Sequence, residues 1–99
     1  MPSNRPPSAR VLSRRREIGE QIRAVRKEER LTQLEVVRRA DMDLATYNRI
    51  EQGHSSPLLD TLIRIADAIG RPLADLVREP PSADGSRTGP GPASPRRET

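Results

Sequence analysis

Between Leu31 and Gly53 the chain reads LTQLEVVRRADMDLATYNRIEQG, and this stretch holds two helix starts with little room between them. Thr32 is a good N-cap, and Glu35 three residues later has the spacing of a capping box, in which each side chain satisfies a free backbone N–H of the other residue. Asp43 offers a second cap, and Gly53 can take the left-handed conformation with which helices end. These signals confine helix formation to two short segments, Gln33 to Ala40 and Leu44 to Gln52, joined by Asp41-Met42-Asp43. Helices this short do not persist in water without packing. A three-residue joint suits two helices that cross at a steep angle and brace each other.

The flanking segments carry the same helical period. Ile18, Ile22 and Val25 fall at i, i+4, i+7 and predict a helix over roughly 14–29, capped by Ser13. After a loop from His54 to Leu58, the stripe Leu59, Leu62, Ile65, Ala66 and Ile69 predicts a helix that stops at Gly70. Pro72 suits a first turn, so Pro72 to Val77 forms a short fifth helix that buries Leu73 and Leu76. Val36, Val37 and Ala40 face inward from the second helix, Tyr47 and Ile50 from the third. No strand pattern competes, so the fold class is all-α, five helices over residues 13–79. Residues 1–12 hold three prolines and no periodicity and read as a flexible N-terminal arm. Residues 80–99, PPSADGSRTGPGPASPRRET, lack the large apolar side chains that would offset their ordering entropy and read as a disordered Pro/Gly-rich tail.

Composition narrows the function classes. At 99 residues there is room for one domain, and any function must sit on a small rigid scaffold. The net charge of +4 divides into +2 over residues 1–12 (Arg5, Arg10), +1 over 13–79 (thirteen basic against twelve acidic) and +1 over 80–99 (three against two). The basic excess is small, so charge alone does not establish a polyanion partner. There is no cysteine, hence no disulfide framework and no thiolate metal site, and this fits a reducing compartment. The first residues lack the apolar stretch of a signal peptide, and no run approaches the roughly 18 apolar residues of a membrane span. The expected location is cytoplasmic, with no membrane partner.

Residues 18–77, IGEQIRAVRKEERLTQLEVVRRADMDLATYNRIEQGHSSPLLDTLIRIADAIGRPLADLV, resemble the Cro/CI-type (XRE family) helix-turn-helix DNA-binding domain of bacteria and phages. The marks are IRAVRKEERLTQ, YNRIEQG closing the third helix, SSPLLDTLIRIADAIG as the fourth, and PLADLV as the fifth. The resemblance implies a lambda-repressor-like fold and a sequence-specific transcriptional regulator that binds double-stranded DNA, as a homodimer on a partly palindromic site. The physical reason is groove geometry: the major groove admits one helix and there each base pair shows a distinct donor and acceptor pattern. The third helix would enter it while the second crosses the phosphate backbone.

Carried over residue by residue, the resemblance puts the phosphate-anchoring glutamine at Gln33 and the base-reading positions at Asp43, Leu44, Ala45 and Arg49. Arginine can grip guanine O6 and N7 with two bonds; otherwise Arg49 is a solvated cation paired with a nearby acid. Leu44 and Ala45 either meet thymine methyl groups or are tolerated surface residues. Thr46 and Asn48 can bond to phosphate or a base edge or play no special part, and His54, Ser55 and Ser56 either touch the backbone or simply turn the chain. Arg10, Arg14, Arg15 and Arg16 form a basic cluster that either follows DNA or solubilises the surface.

Four residues depart from the family pattern. Val37 stands where a small residue is usual, Asp41 where glycine is usual, Tyr47 where a β-branched aliphatic is usual, and Arg71 where an apolar residue is common. Asp41 tolerates a left-handed conformation better than most residues. Tyr47 should centre the core, with its hydroxyl on water, phosphate or a polar partner. An enzyme is not expected: there is one histidine, no cysteine, no glycine-rich phosphate loop and no serine in a nucleophile setting, and no cofactor is implied. His54 has no companions at metal-ligand spacing. The rival reading is a protein-protein interaction module, an adaptor or antitoxin-like regulator, presenting apolar Leu34, Leu44 and Ala45 to a partner. Leu73, Leu76 and Val77 are candidates for a dimer surface unless they close the core.

Overall fold

The computed structural model describes residues 5–79. The tail over 80–99, and the first four residues of the N-terminal arm, lie outside the described residues. Among the described residues there are five helices and no strand: α1 (Ala9–Glu28), α2 (Gln33–Ala40), α3 (Leu44–Glu51), α4 (Leu59–Ile69) and α5 (Leu73–Val77).

Local chemistry sets most of these bounds as expected. Thr32 and Glu35 form the capping box, with the Glu35 N–H donating to Thr32 Oγ1 at 3.1 Å and the Thr32 N–H to Glu35 Oε1 at 2.8 Å. Asp41 ends α2 in the left-handed region at φ 57°, and the Met42 N–H reaches back to the Val37 carbonyl at 3.1 Å. Asp43 caps α3, Gln52 closes it, and Gly53 follows at φ 77°. Pro72 takes the cap of α5 rather than its first helical position.

The first helix differs from the prediction. It starts at Ala9, capped by Ser8 and not by Ser13, with the Val11 N–H donating to Ser8 Oγ at 3.2 Å. Residues 9–12, expected in a flexible arm, are therefore its opening turn. Periodicity could not reveal this turn because it buries nothing: Val11 and Leu12 are exposed. It is tied down instead by polar contacts, Arg10 to Glu79 at 3.2 Å and, one turn on, Arg14 to the Val77 carbonyl at 2.9 Å.

The core gathers Ile22 and Val25 of α1, Val36, Val37 and Ala40 of α2, Tyr47 and Ile50 of α3, Ile65, Ala66, Ala68 and Ile69 of α4, and Leu76 of α5. α2 packs on α3 and α4, while α1 packs on α3 and α5. Leu73 and Val77 are half-buried against this cluster and Leu76 is fully buried, so the fifth helix closes the core. Leu59, expected on the inward stripe, instead stands 61% exposed. It lies in the first turn of α4, and the inward stripe begins one turn later with Leu62. The cation at Arg71 is matched by acids: its Nη1 meets Glu28 and Glu29 at 3.0 Å each, and its Nε meets Asp75 at 2.8 Å.

One close approach joins α1 to the end of α3. A Cβ on Gly19 of α1 would lie 2.5 Å from the Glu51 carbonyl oxygen and 2.6 Å from that of Ile50. The absence of a side chain lets α1 run against the backbone at the end of α3.

Candidate nucleic-acid interface

The eight residues of α3 divide into two faces. Tyr47, Ile50 and Glu51 are buried, whereas Leu44, Ala45, Thr46 and Arg49 are exposed, as is the cap Asp43. The sequence-predicted base-reading set therefore shares one outward face. The Arg49 guanidinium has no ion pair or hydrogen bond among the described residues. The acid partner that would have made it an ordinary surface cation is missing there.

Asp43 is engaged at the helix start. Its Oδ2 accepts the Thr46 N–H and its Oδ1 accepts the Thr46 hydroxyl, both at 2.8 Å. The bond from the Thr46 backbone, followed by the one from its hydroxyl, holds the Asp43 carboxyl below the usual carboxylate range. Asp43 and Thr46 are in this way a cap first, with spare oxygen lone pairs available outward.

Gln33, the first residue of α2, belongs to a network absent from the sequence reading. Its Nε2 donates to Glu51 Oε1 at 2.9 Å and to Asn48 Oδ1 at 3.2 Å. Glu51 is the hub, accepting from Arg26 Nε at 2.7 Å, from Arg26 Nη2 at 3.1 Å and from the Tyr47 hydroxyl. Arg26 Nη1 donates to the Leu31 carbonyl at 2.9 Å, which ties in the loop before α2. Both charged groups are buried, Arg26 at 8% and Glu51 at 6% exposure. Burial pushes the Glu51 carboxyl up, but the bonds from Arg26, Tyr47 and Gln33 outweigh it and hold the group below its ordinary value. The bond to Glu51 raises Arg26. Tyr47 is raised by burial first and by the neighbouring Glu51 second, so its hydroxyl stays protonated and donates.

A signal for this network exists in the chain. Arg26 stands at i+4 from Ile22, on the inward stripe, and Glu51 stands at i+4 from Tyr47. A charged residue on each of two inward stripes is a pairing signal. Above the network opens a polar recess of about 240 Å³ lined by Arg23, Arg26, Gln33, Asn48, Glu51 and Gln52. The Arg23 side chain has no partner among the described residues. The recess sits beside the N-terminal turn of α2, whose unpaired N–H groups favour an anion.

The remaining predicted positions are less unified. His54 and Ser56 are exposed after α3, with the His54 N–H donating to the Arg49 carbonyl at 2.9 Å. The Ser55 hydroxyl is buried and has no partner. Arg10, Arg14, Arg15 and Arg16 do not form one patch. Arg10 pairs with Glu79, Arg14 pairs with Glu17 at 2.7 Å, Arg15 buries its Nε in a cavity, and Arg16 lies against Gly53.

A pair of short capped helices joined by three residues, the second presenting an exposed face, is the architecture of a helix-turn-helix protein. The chain belongs to the helix-turn-helix family, whose sequence model matches residues 22–76, more than half of its length. Over 62 residues it is 34% identical to the immunity repressor protein of Bacillus phage phi105, an alignment covering 63% of this chain and 43% of that protein. The chain thus spans less than half the length of that relative. No solved structure matches it.

Proposed function

We propose that the chain is a sequence-specific DNA-binding transcriptional regulator that inserts α3 into the major groove. The observation that carries this reading is Arg49, exposed on α3 beside Leu44 and Ala45 and without a counter-charge among the described residues. Arg49 would grip a guanine, Leu44 and Ala45 would meet thymine methyl groups, and Asp43 would accept from a cytosine amine. Asn48 and Arg23 border the polar recess and, with the backbone N–H groups that open α2 at Gln33, would hold one phosphate there. Thr46, His54 and Ser56 are exposed and would meet neighbouring phosphates. Membership of the helix-turn-helix family and similarity to a phage immunity repressor support the same reading.

Two copies would bind together, bringing two reading helices about 34 Å apart on one DNA face. Since α5 is used to close the core, the proposed pairing surface is Leu58, Leu59 and Ile63 around the start of α4, a set that holds the two most exposed large apolar side chains among the described residues, at 74% and 61%. Titration of a mixed-sequence duplex at increasing salt tests the function. Release of counterions from several phosphates should weaken binding by on the order of a thousandfold between about 50 and 200 mM salt. Affinity that stays flat over that range would instead mark an apolar protein-binding surface, and the regulator reading would fail.

A further inference from the structure

Among the described residues two buried side-chain polar atoms lack a hydrogen-bond partner, Arg15 Nε and Ser55 Oγ, and both residues line the same cavity. The cavity holds about 150 Å³ and lies between α1 and the loop joining α3 to α4. Its other walls are mainly apolar, Ile18, Ile50, Pro57 and Leu62, with Ser56 at the exposed rim beside Ser55. The nearby acid on the same helix, Glu17, is taken by Arg14 at 2.7 Å, so the Arg15 charge is left without a counterpart.

Buried donors are almost always satisfied, because an orphaned one forfeits its hydration for nothing. Two orphans on one cavity wall call for a shared acceptor. A water molecule could accept from both, but it would leave the apolar walls unfilled. A carboxylate answers both needs. It takes the side-on edge of a guanidinium through paired oxygens and still accepts from a hydroxyl. The volume sets the size of what carries it, since a cavity of about 150 Å³ accepts a benzene-sized body.

We propose that this cavity is a binding site for a small carboxylate with an apolar body. The body packs on Ile18, Ile50, Pro57 and Leu62, and the carboxylate accepts from Arg15 Nε and Ser55 Oγ. The site involves neither the outward face of α3 nor the recess at α2, so its existence does not depend on the DNA-binding reading.

The test is titration of the full chain, labelled for NMR, with sodium benzoate and sodium pentanoate, against benzyl alcohol as the neutral match for size, at constant ionic strength. Saturable shifts centred on the Ile18, Ile50 and Leu62 methyl groups are expected from at least one carboxylate. The alcohol should bind about tenfold more weakly or worse, the loss expected when a bond to a charged donor is forfeited. Arg15→Met should abolish saturation by the carboxylate while leaving the other methyl positions unchanged. Should that variant not fold, Ser55→Ala provides the second test, with binding weakened by about threefold or more. Failure of both carboxylates to saturate, shifts centred elsewhere, equal binding of the alcohol, or undiminished binding by the variant that folds would each overturn the proposal.

Discussion

Replacing Arg26 with methionine should bring the domain close to unfolding, and the structure says why. The guanidinium makes two bonds to Glu51, at 2.7 and 3.1 Å, and one to the Leu31 carbonyl at 2.9 Å, all from a site that is 8% exposed. Methionine fills much of the volume but leaves Glu51 a buried carboxylate with only Tyr47 and Gln33 as donors. Breaking a buried pair in this one-sided way costs about 3–5 kcal/mol. A small domain has only about 5–15 kcal/mol in total. Urea denaturation followed by circular dichroism at pH 7 measures the difference. Acidity provides a second arm. In the wild type the Glu51 carboxyl is held below its unfolded value of about 4.3, so its contribution is present above that pH and is lost as pH falls through the lower folded value. In Arg26→Met, burial acts with less opposition, so the folded value should rise relative to that of the wild type. The penalty is then full at neutral pH and relieved as pH falls, so the gap between the two proteins should narrow from pH 7 toward pH 4. The double variant Arg26→Met, Glu51→Leu should recover part of the loss, because no unpaired charge remains. A single variant within about 1 kcal/mol of wild type would refute the reasoning, since a loss that small is the scale of a solvent-exposed pair.

Three further outcomes follow from the same packing. Tyr47→Phe removes a donor to Glu51 without changing ring volume and should cost about 1–3 kcal/mol in chemical denaturation, with the fold retained. Gly19→Ala should destabilise by about 1–3 kcal/mol in the same assay despite alanine's better helix propensity, because the new methyl meets two carbonyl oxygens of α3 within 2.6 Å. Leu59→Glu with Ile63→Glu should leave the thermal midpoint nearly unchanged, since both sites are exposed, while analytical ultracentrifugation reports a monomer in place of the proposed dimer.

The parts of the fold legible in the sequence are those where one residue type has one local job. Thr32 with Glu35 bounded the start of α2, Gly70 at φ 86° ended α4, and Asp41 took the left-handed turn that the family usually gives to glycine. Tyr47 proved to be the core centre that its size and position implied, fully buried with its hydroxyl on Glu51. What escaped was set by tertiary partners. The opening turn of α1 carries no buried stripe and depends on Ser8 and on chain-end contacts that periodicity does not register. Leu59 follows the right spacing but lies at the end of its helix where no neighbour covers it. Arg26 and Glu51 are 25 positions apart, and only the crossing of α1 with α3 brings them together. At the proposed interface the outward placement of Leu44, Ala45 and Arg49 followed from helical phase once Tyr47 and Ile50 were set inward. The division of the four arginines of the N-terminal segment among four different environments did not.

If α3 enters the major groove, its outward face reads base pairs. Selection of bound sequences from a random duplex pool, run in parallel with the wild-type chain and with Arg49→Ala, tests it most directly. A recurring motif containing a guanine is expected, with enrichment at that position lost in the variant, a loss of about 1–3 kcal/mol of discrimination there alone. No enrichment at low salt, or a motif identical for both proteins, would contradict it.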